Sequence, residues 1–462
     1  MNQHRPAGPP RPGRLTPVAQ GRTAAGTAGP AGGSRSWVGL VGVLGAQAAA
    51  LTANRALLIV VPWLAMTDRG NPAHAGLVGV CHTLPYVVTQ VLGGPLIDRC
   101  GPRTVAGFGD LISAAAITVL AVSGPPPLWL LAITMACVGA VDGPAATAKT
   151  VWLPAVTAAA GRPVEFGSGH ATAVERTATT LGPIGAGLLL AGIGPRVLWL
   201  VAGLFTVAAV ISATNRGRRL RHETGHSSGY LRQLRDGSAF LHRERSLRAL
   251  VLMYLVTNGL DQLFLTILLP AWAQRHGHGP ALTGLAAGIF GGGAVVTALL
   301  TASIGHRLPP RPLYLITSPL GGVSRLLVVA AGADPAIVLA VFAVAGLGSG
   351  TTNVILDAAQ IRLIPEHLQG RVRALINAWA WLGIPLGSLT GAIAGTLLTA
   401  ALPATLWTCA GAYLIAVLYP GWHVRWPTPA HTGQAATTAA PRQRPDPVPN
   451  MVTAQAAGSD PA

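Results

Sequence analysis

Long runs of uncharged, apolar residues constrain this chain more than anything else in it. Leu57–Met66, Leu188–Ile193 and Leu198–Ile211 are examples. With their Gly- and Ala-rich flanks they reach the roughly 20 residues that cross a bilayer as a helix. Only 10% of the 462 residues are charged and 50% are hydrophobic, whereas a soluble domain carries about 25% charged residues. So little charge cannot cover a globular surface, and the chain reads as a polytopic membrane protein whose first solvent is lipid.

Twelve spans fit the pattern. The first six are 37–66, 74–97, 103–123, 127–153, 164–191 and 195–214; the second six are 249–273, 280–304, 311–331, 335–361, 370–399 and 402–422. Residues 1–36 and 424–462 are rich in Pro, Gly, Ala and Thr, have little to bury, and are expected to be disordered tails. A polar segment, 215–248, separates an N-terminal half, 37–214, from a C-terminal half, 249–423. It holds nine arginines, and Tyr230, Leu231, Leu234, Phe240 and Leu241 within it suit a short amphipathic helix on the membrane surface. The first 36 residues contain no apolar stretch of the kind a secretory signal needs.

The net charge of +17 then acquires a meaning. Cytoplasmic loops of membrane proteins carry the excess of Lys and Arg. With an even number of spans, both tails lie on one side and the basic residues alternate by loop. The tails, the central segment and the loops at Asp98–Arg103, Arg162, Arg307–Arg311 and Arg362–Arg373 hold 25 of the 32 basic residues. The opposite loops hold Arg69, Arg196 and Arg275. The distribution predicts cytoplasmic termini and a multi-pass protein of the cell membrane. It also assigns the basic charge to topology, with no nucleic acid as partner.

The halves echo each other. The second span ends in Gly94-x-Leu96-x-Asp98-Arg99-x-Gly101-x-Arg103, and the eighth in a degraded counterpart, Gly305-x-Arg307 through Arg311. The fifth span carries Gly182-Pro183-x-x-x-Gly187 and the eleventh Gly383-x-Pro385-x-Gly387. Repeated halves with a site at their interface are a transporter architecture. Small residues let membrane helices approach closely, and Pro kinks them where neighbours re-satisfy the backbone. In the loop after the second span, Asp98 is placed to cap a helix or to pair with Arg103, Arg371 or Arg373, as a latch made in one conformation and lost in another.

That loop resembles the signature of the major facilitator superfamily between its second and third helices. The fifth-span Gly-Pro sequence is similar to the motif of that superfamily's drug:proton antiporters, in shortened form. The stretch from Asn353 through Gln360, Pro365, Gly370-Arg371 and Ala374 to Gly383–Gly387 resembles the macrolide- and siderophore-exporter branch. The resemblance covers roughly 37–422. It implies an all-α fold, two six-helix halves around a central cavity, and proton-coupled export of a small molecule. The fourth span lacks the Arg that many such antiporters carry; Lys149 lies further along.

Ionisable residues inside spans are the candidates for mechanism, because a charge at mid-bilayer costs about 2.5–3.5 kcal/mol on insertion scales and survives by facing a cavity or a partner. Arg55, Asp142, Glu175, Arg176, Asp261 and Asp357 are the cavity candidates, with Asp142 and Asp261 best placed to take a proton on one side and release it on the other. Glu175 and Arg176 suit mutual neutralisation, although adjacent helical residues do not face each other. Asp110 and Arg325 are read as nearer the cytoplasmic ends of their spans, where snorkelling makes charges ordinary. Trp152, Phe264, Phe290, Trp379 and Trp381 are expected to supply apolar walls, and Trp37, Trp63, Trp272 and Trp422 to sit at the membrane interfaces.

Other chemistry is weakly represented. Gly143–Thr150 approaches a phosphate-binding loop but lies in an apolar helix with no strand before it. His222, His226, His276 and His278 lie in polar loops without a ligand set, so no metal and no cofactor is expected. Cys81, Cys100, Cys137 and Cys409 are not at redox or metal spacing and read as small apolar residues. No nucleophile–base set marks an enzyme. The expected function is secondary transport, namely efflux of a hydrophobic or amphipathic molecule with protons as coupling ion. The alternatives are uptake of a polar nutrient by the same fold, through a cavity lined by convergent polar groups, and a non-transporting receptor.

Overall fold

In the computed structural model, residues 33–67, 71–124, 126–215, 240–304, 309–365, 368–424 and 426 are described, and all of their regular structure is helical. In chain order the helices are α1 (Gly33–Thr67), α2 (Pro72–Leu92), the short α3 (Gly94–Cys100), α4 (Pro102–Val122), α5 (Leu128–Ala159), α6 (Val164–Ile193) and α7 (Val197–Thr214). The second series is α8 (Arg245–Leu263), α9 (Leu269–Arg275), α10 (Pro280–Ile304), α11 (Pro310–Ala330), α12 (Pro335–Leu363), α13 (Gln369–Ala400) and α14 (Leu402–His423). A 3-10 turn, Gly194–Arg196, joins α6 to α7, and a π-helical turn, Phe264–Leu268, joins α8 to α9. Among the described residues ten helical stretches are long and apolar enough to cross a membrane, or eleven if α2 and α3, bent by 64° at their junction, count as one span. Val164–Thr214, with both α6 and α7, is one of the ten.

Lipid cannot solvate a free peptide group, so the chain closes its backbone bonds within each helix and caps the ends. The Asn71 side chain accepts from the Ala73 N–H, Asp334 from Ala336 and Glu244 from Ser246, and Pro72 and Pro335 follow their caps where a missing N–H costs nothing. The Glu244 cap starts a helix that takes in Arg245 and Arg248, so the polar connection ends earlier than 248. Likewise α1 begins at Gly33 rather than at 37. Two glycines end helices in the left-handed region, Gly101 at φ 82° and Gly194 at φ 60°, where an L side chain would be strained. The region read as a loop after the second span is helical as far as Cys100, and Gly101 alone makes the turn. The π-helical turn stands just before Pro270, a residue with no N–H to give to a regular α-ladder.

The outer surface is apolar. Phe108, Trp129, Leu299 and Ile393 are each more than 60% exposed, which suits lipid and not water. The chain is therefore a multi-pass membrane protein. Inside, α1 packs on α2, α5, α6 and α7, and α4 on α5 and α7; later in the chain α12 packs on α10 and α11, and α8 and α11 pack on α14. The early and late series meet mainly along two helix pairs, α2 with α13 and α6 with α10.

Those two pairs touch near one end of the bundle, the end bearing the α1–α2, α6–α7, α9–α10 and α13–α14 connections. A Cβ on Gly76 would stand 2.3 Å from the Ala392 nitrogen, and one on Gly187 would stand 2.7 Å from the Pro280 carbonyl oxygen and 2.9 Å from Gly284 Cα. Backbones approach this closely only where side chains are missing. At the same end the Trp63 indole donates to Thr283 at 3.0 Å. Trp63 and Trp272 are buried rather than interfacial, since each fills a gap between helices, whereas Trp37 and Trp422 are exposed. Residues 216–239, which carry most of the expected amphipathic helix, and the tails at 1–32 and 427–462 lie outside the described residues.

Candidate functional site

Between the early and late helices lies a cavity of two lobes. One, of about 260 Å³, is lined from α1, α2, α5 and α6 by Asn54, Arg55, His82, Tyr86, Asp142, Lys149 and Glu175, and from the later series by Gln262 and Trp381. The other, of about 240 Å³, is lined by Arg55, Arg176, Gln262, Leu265, Phe290, Arg325, Phe342 and Asn353, among others. Arg55, Leu58 and Gln262 line both, so the lobes adjoin. Glu175, Arg176, Asn353 and Trp381 are exposed although they lie within long helices. The cavity is thus accessible from the end opposite the glycine contacts.

The local sequence explains how these side chains reach the cavity. Gly139 and Gly143 on α5 lie against the carbonyls of His82 and Tyr86, where a Cβ would stand 2.0 and 2.6 Å away. This close crossing carries Asp142, on the same helix, to the His82–Tyr86 face of α2. Gly182 on α6 lies against the Arg55 side chain, at 2.7 Å from a built Cβ. Gly383 and Gly387 on α13 meet the carbonyls of Leu255 and Gly259, which sets Trp381 beside Tyr86 with rings stacked at 5.6 Å. Pro183 offers its carbonyl to Gly284, and Pro385 is buried within α13. The π-helical turn brings Leu265 and Thr266 to the second lobe.

Three ion pairs occur among the described residues. Lys149 donates to Asp110 at 2.6 Å, with side chains 4% and 0% exposed. Arg325 meets Asp261 at 2.7 Å, at 3% and 32% exposure, and the Tyr413 hydroxyl donates to the other Asp261 oxygen at 3.4 Å. Arg373 and Asp357, at 3.6 Å, are far more exposed. Asp110 and Arg325, read from the sequence as snorkelling near span ends, are instead buried in these pairs. Each head group is turned inward onto a partner on a neighbouring helix rather than along its own helix to the membrane surface. Glu175 and Arg176 do not pair with each other; Glu175 lines the first lobe and Arg176 the second.

Asp142 is buried in the first lobe with Asn54, His82, Arg55 and Lys149 around its carboxyl. Asp261 lines neither lobe; it stands behind Arg325. Of the expected walls, Trp381 and Phe290 face the cavity, Phe264 is buried 5.9 Å from the Arg325 guanidinium, Trp152 packs with Leu40 and Val43 at the other side of α5, and Trp379 lines neither lobe. Lys149, at the end of the near-miss phosphate motif, is committed to Asp110 inside a continuous helix.

In the motif after the second span, Gly94, Asp98 and Arg99 lie on α3. Asp98 is exposed and in no ion pair among the described residues. Arg103 donates from Nε to the Ser212 carbonyl at 3.3 Å and from its terminal nitrogen to that of Ala213. It therefore closes carbonyls left open at the C-terminal end of α7, where a cation also meets the negative pole of the helix. Its partner is not Asp98. The Arg371 side chain lies outside the described residues, as do His222 and His226. The His276 and His278 rings both lie tilted against Trp272, with centroids 5.0 and 5.9 Å away.

The partnerships could not be read from the sequence. Asp110 and Lys149 are 39 residues apart and Asp261 and Arg325 are 64. Asn54, His82, Tyr86 and Gln262 enter the site as ordinary polar residues on apolar helices. The one available signal was the cost of a lone charge in lipid, which says that a partner exists without saying where.

Comparison with known proteins adds an independent line. The sequence profile of the Major Facilitator Superfamily matches residues 43–387. The chain is 27% identical over 353 residues to the multidrug efflux pump Tap of Mycobacterium tuberculosis, covering 74% of this chain and 83% of the relative. It is 27% identical over 365 residues to Tap of Mycolicibacterium fortuitum, covering 76% and 88%. In structure it resembles the nucleoside transporter NupG, with a TM-score of 0.68 at 11% identity, over 84% of this chain and 100% of the other.

Proposed function

Because the chain belongs to the Major Facilitator Superfamily, we propose that it exports hydrophobic or amphipathic small molecules by alternating access, driven by proton entry. It is a transporter of small molecules and not an enzyme. Relatives that carry the name multidrug efflux pump support drug-like cargo. The observation that carries the reading is the charged, two-lobed cavity, shut at one end by glycine-to-backbone contacts and accessible from the other.

Helix lengths support a topology of twelve crossings. Val164–Thr214 has 51 residues, about 75 Å as one helix at ~1.5 Å per residue, more than twice the ~30 Å of a bilayer core. The break at Gly194-Pro195 divides it into two crossings. With α2 and α3 as one further crossing, the total becomes twelve, in two six-helix halves, α1–α7 and α8–α14. Arg99, Arg103, Arg162, Arg311, Arg362 and Arg373 lie toward the open end, and Arg196 and Arg275 toward the shut one. The basic excess supports a cytoplasmic open end and cytoplasmic termini. Rocking of the halves would part Gly76 from Ala392 and Gly187 from Gly284 and close the cytoplasmic end, with Asp98 free to latch it.

Asp142 is the proposed proton carrier, since it is buried, faces the cargo space, and has no cation at salt-bridge distance among the described residues. Asp261 is the second candidate; its protonation would release Arg325 toward the second lobe. The test is uncoupler-sensitive dye or drug movement in everted vesicles. For Asp142→Asn, export is expected to fall at least about tenfold, the scale of a lost proton-transfer step, with protein level unchanged. Undiminished uncoupler-sensitive export by this variant would remove Asp142 from the mechanism. Uptake of a polar solute remains a second reading, favoured by the polar lining of the first lobe. Accumulation of solute in right-side-out vesicles under an inward proton gradient would select it over export.

A further inference from the structure

The two lobes differ in charge, and the second is one-sided. Among the described residues three guanidinium groups line it, Arg55, Arg176 and Arg325, and no carboxylate does. Arg325 has its charge met by Asp261 behind it, and its guanidinium carbon sits 4.4 Å from the centre of the Phe290 ring. Arg55 and Arg176 are in no ion pair among the described residues. Asp357 stands near Arg176 but is bridged by Arg373 and is 61% exposed. Of the two acids near Arg55, Asp142 and Glu175 belong to the first lobe, not to this one. Moreover, the Nε groups of both Arg55 and Arg325 are enclosed without a hydrogen-bond partner among the described residues, and Arg325 is only 2% exposed.

An unmet donor on a buried cation is expensive. A planar guanidinium fork is also the protein group best matched to a carboxylate, sulfonate or phosphate. Beside the arginines the wall is apolar and aromatic, from Leu265, Phe290 and Phe342. We propose that this lobe is an anion subsite: it holds amphipathic solutes bearing one acidic group, with that group between Arg55 and Arg176 and the apolar body against Phe290 and Leu265. The proposal rests on the reading of the cavity as a cargo site and narrows the class of cargo. A lipophilic cation is repelled here and belongs in the first lobe, near Asp142, Glu175 and the Tyr86–Trp381 stack.

The experiment uses the full chain in nanodiscs and two fluorescent probes of near-equal size, dansylglycine, a carboxylate, and dansylglycinamide, which is neutral. Charge-assisted pairing predicts that the carboxylate binds at least about tenfold more tightly than the amide. Arg176→Gln, an exposed position that folding should tolerate, is expected to abolish that preference, with the melting temperature and the affinity for tetraphenylphosphonium unchanged. Equal binding of the two probes by the wild type, or a preference that survives in both Arg176→Gln and Arg55→Gln, would overturn the subsite. Nanodiscs of phosphatidylcholine alone or mixed with phosphatidylglycerol separate a soluble anion from a lipid headgroup. Unchanged affinity supports a solute site, and a tenfold loss in the mixed discs assigns the arginines to lipid. Vesicles that extrude ethidium while the protein binds both probes alike would sink the subsite and leave the transport reading standing; selective binding with neither ethidium nor dansylglycine extruded would sink the transport reading instead.

Discussion

The two ends of the bundle are built by different means. At the shut end, α2 meets α13 and α6 meets α10 through glycines, and a neutral polar contact, the Trp63–Thr283 bond, joins early and late helices. At the open end, the exposed side chains include Glu175, Arg176, Asp357 and the half-exposed Arg373. Contacts between bare backbones are lost within an ångström or two of separation and carry no charge that must be rehydrated. They suit a closure that is made and undone in every cycle. Charges in water at the other end repel or attract an incoming solute while holding little of the fold together. Depth, rather than the presence of charge, decides what an ion pair does here.

The largest test of that contrast is the deepest pair. Lys149→Met leaves Asp110 alone in the core between the early helices, and a loss of about 3–5 kcal/mol is expected, read as a lower melting temperature in detergent. Replacing both partners, Lys149→Met with Asp110→Leu, should recover most of it. A single variant as stable as the parent would mean that water reaches Asp110. Next comes the shut end. Gly187→Leu pushes a side chain into Pro280 and Gly284, at a cost of about 1–3 kcal/mol for overpacking, and transport in vesicles should fall more steeply than stability does. A variant that still transports at the parental rate would show that α6 and α10 need not touch. The smallest effect is expected at the mouth. Arg373→Gln breaks an exposed 3.6 Å pair, so stability should change by no more than about 1 kcal/mol. A larger drop would place this pair among the structural ones.

The close crossings were legible because glycine has few other reasons to recur at four- and five-residue spacing in a lipid helix. Gly182, Gly187, Gly383 and Gly387 all lie where a Cβ would stand less than 3 Å from another helix's atoms. The loop after the second span was legible as a motif but not as a shape. Nothing in Gly94–Arg103 says that the chain stays helical to Cys100, or that Arg103 turns away from Asp98 to the end of α7. The tryptophans near span ends divided in the same way. A position near a helix end suits either the interface or a neighbouring helix, and packing alone sent Trp63 and Trp272 inward.

The sequence by itself determined that this chain lives in a bilayer, that its structure is helical, and which family it joins, because lipid permits few backbone arrangements and run length and small-residue spacing report them directly. It also determined that several buried charges must find partners. Which partners they found was decided only by the tertiary structure. Asp110 with Lys149, Asp261 with Arg325, Asp142 left facing the cavity, and Arg55 and Arg176 in no ion pair among the described residues are outcomes of helix rotation and depth. Those quantities are set by many weak contacts between segments far apart in the chain, and no local pattern encodes them.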